Sequence, residues 1–150
     1  MTAAANLHAC AVALRGRGIL IRGPAGSGKS ALALALLRRG PAAGVEAELV
    51  ADDRVIAEAS DGTIKLSAPG KLAGLLEIAG IGIVREPFRQ SAPLWLVVDL
   101  VPPEAMIRHP PTRTAEILGH VVPLLSLPRR EAALSTDILT TLAISGRLPD

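Results

Sequence analysis

One loop constrains this chain more than any other stretch. Gly23, Pro24, Ala25, Gly26, Ser27, Gly28, Lys29 and Ser30 fit the pattern G-x-x-x-x-G-K-[ST]. The three glycines let the backbone curl until its N–H groups converge on an anion. Lys29 adds a compact positive charge, and the Ser30 hydroxyl is a hard oxygen ligand suited to a divalent cation. The flanks agree with this reading. Gly18, Ile19, Leu20, Ile21 and Arg22 form a short apolar run of strand character, and the stretch after Ser30 (ALALALL) is rich in strong helix formers. Strand, glycine loop and helix is the context in which the helix N-terminus also faces the bound phosphate. The eight loop residues are therefore candidate phosphate-binding residues.

Composition narrows the rest. A chain of 150 residues is read as one domain that buries roughly two-thirds of its unfolded surface. Hydrophobic residues make up 49%, with one Phe, one Trp and no Tyr, so the core must be aliphatic. Aromatic platforms for single-stranded nucleic acid are almost absent. A net charge of +2, scattered along the chain, is no nucleic-acid footprint. Cys10 is the single cysteine, so no internal disulfide forms; it reads as a small buried hydrophobe. His8, His109 and His120 lie too far apart in sequence for a metal-ligand spacing. No apolar run is long enough to span a membrane, and the start lacks a signal-peptide pattern. These features describe a cytoplasmic protein with neither nucleic-acid nor membrane partners.

Along the chain, residues 1–6 read as a loose leader and residues 7–14 as a strand. Arg15 to Gly18 make a tight turn, so a hairpin leads into the glycine loop. The helix after the loop begins near Gly28 and ends near Arg39, stopped by Gly40 and Pro41. Residues 46–51 form a strand that delivers Asp52 and Asp53 at its tip. A hairpin comes next, turning at 60–63. Residues 71–76 suit one helical turn. Glu77 to Val84 is an apolar run interrupted by Gly80 and Gly82, which suggests backbone packed against something, with nucleotide or metal as candidates. Residues 93–100 carry the strongest central-strand signal. The stretch 101–113, with four prolines, reads as an exposed loop. Residues 121–127 form a last strand, and Arg130 opens an amphipathic helix ended by Gly146.

Several acids compete for roles beside the loop. Asp52 and Asp53 stand at a strand end, where ligands gather in α/β sheets. Phosphoryl transfer to a hydroxyl needs one carboxylate to take the proton and usually another to hold a metal. The pair equally suits an Asx turn between strands. Asp99 ends the hydrophobic strand LWLVVD and fits a metal-holding strand-end aspartate by pattern. Glu77, the lone acid in apolar surroundings, suits a metal or a surface turn.

Taken in order, Leu7-His8, the hairpin, GPAGSGKS, LVADDRV and LLEIAGIGIV resemble the catalytic domain of the HPr kinase/phosphorylase family. The resemblance runs from residue 7 to residue 84 and is loose beyond Pro93. It implies an α/β fold with a P-loop, a mixed β-sheet and flanking helices, akin to phosphoenolpyruvate carboxykinase. It implies an ATP- and Mg²⁺-dependent serine kinase acting on HPr, the phosphocarrier of the sugar phosphotransferase system, and in many members a reverse phosphorolysis. Lys29 then matches a catalytic residue, Ser30 and Glu77 the Mg²⁺ ligands, and Asp53 the proton acceptor, supported by Asp52. His8 matches a histidine held near that aspartate. Members assemble as homo-oligomers, which the apolar surplus suits. The resemblance implies the short form of some Gram-negative bacteria, in which no separate N-terminal domain is expected.

Two places depart from the family pattern. Ala79 stands where the glycine-rich segment carries an arginine, and the basic loop before the last helix reads LPRRE. Either Arg129 or Arg130 fills the place of the family's catalytic arginine there, with Arg130 taken as the candidate. The reverse reaction thus rests on fewer matching residues. A small-molecule P-loop kinase, with the 101–113 loop as its lid, and a non-catalytic nucleotide sensor are the alternatives.

Overall fold

Three segments of this chain have almost no polar side. Residues Cys10–Leu14, Arg17–Arg22 and Ala92–Val101 are apolar at successive positions, and their central residues are buried whichever way they point. Strands of that composition belong inside a sheet covered on both faces. The computed structural model, which describes residues 3–146, has them side by side at the centre. The elements in chain order are β1 (Ala3–His8), β2 (Cys10–Leu14), β3 (Arg17–Arg22), α1 (Lys29–Arg39), β4 (Ala47–Ala51), β5 (Arg54–Ser60), β6 (Thr63–Ser67), β7 (Leu75–Ile78), β8 (Gly82–Arg85), β9 (Ala92–Val101), β10 (Arg113–Ile117), β11 (His120–Pro128) and α2 (Ala132–Ser145).

A nine-stranded mixed sheet runs β1-β5-β6-β9-β3-β2-β4, with β11 also on β9 and β10 on β11. β9 is parallel to both β3 and β11, and the other pairings are antiparallel. β7 and β8 form a separate two-stranded hairpin. The alternation of side chains splits β2, β3 and β9 between two cores. Val12, Ile19, Ile21, Leu96 and Val98 meet Leu32, Leu36 and Leu139 of the two helices. Ala11, Ala13, Leu20 and Val97 meet Val55, Ala57 and Leu66, where the β5–β6 end of the sheet curls over. The small alanines of this second face let the two layers approach closely. Burial of each large aliphatic side chain here contributes roughly 1.5–3 kcal/mol.

Three hairpins use one device: a residue in the left-handed region followed by glycine. Arg15-Gly16 joins β2 to β3, Asp61-Gly62 joins β5 to β6, and Leu118-Gly119 joins β10 to β11, all with positive φ at both positions. That backbone matches the twist of the paired strands.

The mixed α/β class is as expected, and several local expectations are corrected. Residues 3–6 are no leader: they form β1 along β5, from Ala3↔Ala59 to His8↔Arg54; Met1 and Thr2 lie outside the described residues. The strand expected over 7–14 is two strands broken at Ala9, because β1 pairs with β5 whereas β2 pairs with β3 and β4. Gly80 and Gly82 do not pack closely against another part of the protein. A Cβ built on either meets no atom of the described residues within 4 Å, and φ values of 90° and 108° explain the glycines instead. The 101–113 stretch is not loop throughout. It contains the short 3-10 turn Pro103–Ala105, and the unforeseen strand β10 starts at its last residue. The helical turn expected at 71–76 is a 3-10 turn over Gly70–Leu72 that passes into β7.

Candidate active site

The glycine loop lies between the end of β3 and the start of α1. Gly28, at φ 98°, is the N-cap, so the helix begins at Lys29. The loop is tightly wound: a Cβ on Gly23 would sit 2.5 Å from Ser27 Oγ, and one on Gly28 would meet the Arg130 backbone at 3.3 Å. Ser27 Oγ is buried without a hydrogen-bond partner among the described residues. The Lys29 ammonium donates to the carbonyl oxygens of Gly23 at 2.7 Å and Pro24 at 3.3 Å. It therefore lies along the inner curve of the loop.

The Asp pair sits where β4 passes to β5. Arg54 N–H bonds back to Asp52 O at 2.7 Å, so the chain reverses tightly around Asp53, whose φ is +67°. Aspartate is one of the few residues that enters the left-handed region readily, and strained turns of this kind concentrate at functional sites. The reversal separates the two carboxylates. Asp53 is exposed, and its Oδ1 lies 3.0 Å from His8 Nε2 at the end of β1. Asp52 is buried at 6% exposure. Its Oδ1 accepts from the Ser30 hydroxyl at 2.8 Å and from the Cys10 thiol at 2.8 Å, and its Oδ2 accepts from the Glu77 backbone N–H at 3.0 Å. Burial, reinforced by the Asp52 carboxylate, pushes the Cys10 thiol from 9.0 up to about 12, so it stays a protonated donor.

A cleft of about 530 Å³ gathers these groups. His8, Cys10, Gly26, Gly28, Lys29, Ser30, Asp53, Glu77 and Ala79 all line it. Sequence alone brought most of these together; it missed Cys10, which carries no local signal of a site. Among the described residues no set of His, Cys, Asp and Glu is large enough to hold a metal by itself. The Ser30 hydroxyl and the exposed Glu77 are sparse hard-oxygen donors on one wall. Because Ser30 spends its proton on Asp52, its lone pairs are left for a cation. Such a set fits Mg²⁺ shared with phosphate oxygens.

The geometry separates the two arginines. Arg130, at φ 57°, donates from Nε to Gly26 O at 3.0 Å and from its backbone N to Ser27 O at 3.2 Å. Arg129 turns instead to the end of β9, with Nε on Leu100 O at 3.2 Å and N on Val101 O at 2.9 Å. Asp99 is taken up by a bidentate pair with Arg22, its register partner on β3, at 2.8 and 3.0 Å. It is absent from the cleft lining. The proline-containing loop lines a separate apolar cavity of about 290 Å³ against Leu96 and Leu125, and that cavity shares no residue with the cleft. The lid expected of a metabolite kinase is therefore not at this cleft. Among the described residues no helix is long and apolar enough to cross a membrane.

Known proteins align with this arrangement. HPr kinase/phosphorylase of Exiguobacterium sp. (strain ATCC BAA-1283 / AT1b) is 34% identical over 95% of this chain and 48% of that protein. That of Stenotrophomonas maltophilia (strain K279a) is 36% identical over 92% of this chain and 48% of that protein. The chain thus spans about half the length of these curated relatives. The solved "Structure of the Hpr(Ser) kinase/phosphatase from Coxiella burnetii" superimposes with a TM-score of 0.80 at 30% identity, covering 95% of this chain and 96% of that one. The model of the family described as HPr Serine kinase C-terminal domain matches residues 1–148, and the chain belongs to that family.

Proposed function

We propose that this domain is an ATP- and Mg²⁺-dependent protein kinase that phosphorylates a serine of an HPr-like phosphocarrier protein. The observation that carries this reading is the exposed Asp53 carboxylate, held 3.0 Å from His8 on the wall of the cleft that also contains Lys29 and Ser30. The names of the relatives supply the acceptor class.

Backbone N–H groups within the 23–30 loop and the Lys29 ammonium hold the β- and γ-phosphates of ATP. Ser30 and Glu77 would hold Mg²⁺, which would supply charge neutralisation for the transferring phosphoryl group. The acceptor serine approaches the exposed side of the cleft and gives its proton to Asp53. Its oxygen forms a bond to the γ-phosphorus as the bond to the β–γ bridging oxygen breaks, and ADP leaves with that electron pair. His8 orients the Asp53 carboxylate. Arg130 lies against the loop at Gly26, where its guanidinium steadies the phosphate-binding turn. In reverse, protonated Asp53 returns the proton to the serine oxygen as inorganic phosphate takes the phosphoryl group. Ala79, in place of an arginine, leaves this direction with less positive charge at the cleft.

The test is transfer of label from ATP, with Mg²⁺, to HPr-like carriers of the same cell. Label on a carrier serine, lost in Lys29→Ala and Asp53→Asn, supports the reading. Undiminished transfer by Asp53→Asn overturns the base assignment. ATP binding with no transfer to any carrier overturns the kinase.

A further inference from the structure

Cys10 sits in the wall of the cleft, and the reaction just described does not use it. It is 1% exposed, on the first residue of β2, directly after the break at Ala9. Its thiol donates to Asp52 Oδ1 at 2.8 Å and lies 4.0 Å from the Ser30 hydroxyl. The same Asp52 oxygen accepts from Ser30, and the other accepts from the Glu77 backbone. No Lys or Arg ion pair reaches Asp52 among the described residues. A buried carboxylate is thus held by three uncharged donors, and two of them belong to the residues that carry the metal-binding oxygens.

We propose that Cys10 is a positioning residue: its thiol fixes the rotation of the Asp52 carboxylate, which in turn sets the Ser30 hydroxyl and the Glu77 strand for metal binding. This rests on the reading of Ser30 and Glu77 as the metal ligands. The physical reason is the shared oxygen. With two donors on Oδ1 and one on Oδ2, the carboxylate plane has a single orientation that satisfies all three. Without the thiol, that plane is free to turn toward the cleft. Ser30 then no longer has to spend its proton on Asp52, and its lone pairs no longer face the cation. Glu77 loses its fixed backbone anchor at the same time. A thiol suits the position because it fills apolar volume in the helix-side core, to which Cys10 also belongs, while still donating one hydrogen bond.

The test uses the full chain with a non-hydrolysable ATP analogue and Mn²⁺ as the probe, followed by electron paramagnetic resonance titration. Ser30→Ala and Glu77→Gln report on the metal reading itself. Cys10→Val keeps the site apolar, with one heavy atom more, and removes the donor; Cys10→Ser keeps the donor in a slightly smaller, more polar side chain. We expect Cys10→Val to weaken Mn²⁺ binding roughly tenfold, the low end for losing a group that orients a metal ligand, and Cys10→Ser to recover most of that loss. A purely packing role predicts the opposite order, with Cys10→Val like the unsubstituted chain and Cys10→Ser worse, and would overturn the proposal. If Ser30→Ala and Glu77→Gln both bind Mn²⁺ normally, the metal reading fails and takes the proposal with it. A second readout needs no metal. The chain has one cysteine, so its S–H stretching band in the Raman spectrum reports Cys10 alone. A band shifted to lower frequency than a free thiol is expected, and a free-thiol position overturns the proposal.

Discussion

Asp52 and Asp53 are neighbours in sequence, yet one tight turn sends their carboxylates to different environments. Asp52 is buried against Cys10, Ser30 and the Glu77 backbone, whereas Asp53 stands exposed beside His8. Substitutions at the two positions should therefore fail in different ways. Asp53→Asn keeps a residue that tolerates positive φ and removes the proposed proton acceptor. Its kcat should fall by about 10²–10⁴-fold with the melting temperature almost unchanged. Asp52→Ala leaves the buried Cys10 thiol and the part-buried Ser30 and Glu77 donors without their partner, and should cost about 1–3 kcal/mol where a buried donor finds no replacement, read as a clear drop in melting temperature. Equal melting losses in the two variants would contradict this division.

Gly23 is fixed by its neighbour across the loop. A Cβ there would lie 2.5 Å from Ser27 Oγ and 3.2 Å from Ser27 Cβ. Gly23→Ala should cost about 1–3 kcal/mol through overpacking and weaken ATP binding with it. Adding Ser27→Gly removes both contacts, and the double variant should bind ATP better than Gly23→Ala alone. Calorimetric titration of the two variants checks the order.

Much of this site could be read before any coordinates, and the parts that could not share a cause. The loop at 23–30, the Asp pair and Glu77 carry local signals: glycine spacing, a strand end, an isolated acid. Cys10 carries none. Its composition class is a buried apolar residue, and only the fold brings Asp52 to its sulfur. The choice between Arg129 and Arg130 depends on where β11 stops, because Arg130, two residues past the strand end, enters the loop with positive φ. β1 was illegible for a similar reason. AAANLH has weak strand propensity, and it is extended because the edge of β5 supplies its hydrogen bonds. β10 was hidden by the prolines before it and by Leu118, an unusual residue for the first position of its turn.

The Cys10 thiol should make the fold sensitive to alkali. Its value is raised from 9.0 to about 12 by burial and by Asp52. Between those two pH values the unfolded chain loses a proton that the folded chain keeps, so stability is fully present below about pH 9 and declines as pH rises toward 12. The span corresponds to roughly 4 kcal/mol at most. Denaturant unfolding at a series of pH values should show a steeper alkaline decline for the unsubstituted chain than for Cys10→Ser. Parallel curves would refute it.

Arg38 near the end of α1 grips Glu86, just past β8, with two hydrogen bonds of 2.6 and 2.9 Å. Arg38 is exposed, so the pair is worth about 0.5–1 kcal/mol. It ties the hairpin bearing Glu77 to the helix that begins at Lys29. The Arg38 hydrogen bonds hold the Glu86 carboxyl below its ordinary 4.5. This contribution is present above that pH and is lost as pH falls through the folded value. Glu86→Gln should lower the melting temperature slightly at neutral pH, and the difference should shrink in high salt and in acid.

Asp99 offers the sharpest check on the proposed metal site. By pattern it is a strand-end aspartate that competes with Glu77 for a cation, but in the fold both its oxygens are engaged by Arg22. The pair is about one-third exposed, and it bridges β3 and β9 where the glycine loop begins. Asp99→Asn removes the charge and one good acceptor, and should cost about 1 kcal/mol, seen as a lower melting temperature. Mn²⁺ affinity in the presence of nucleotide should stay with the unsubstituted chain, while Glu77→Gln loses it. A loss of Mn²⁺ binding in Asp99→Asn, with Glu77→Gln unaffected, would move the cation from the β7 side of the cleft to the end of β9, and would require Arg22 to release its partner when nucleotide binds.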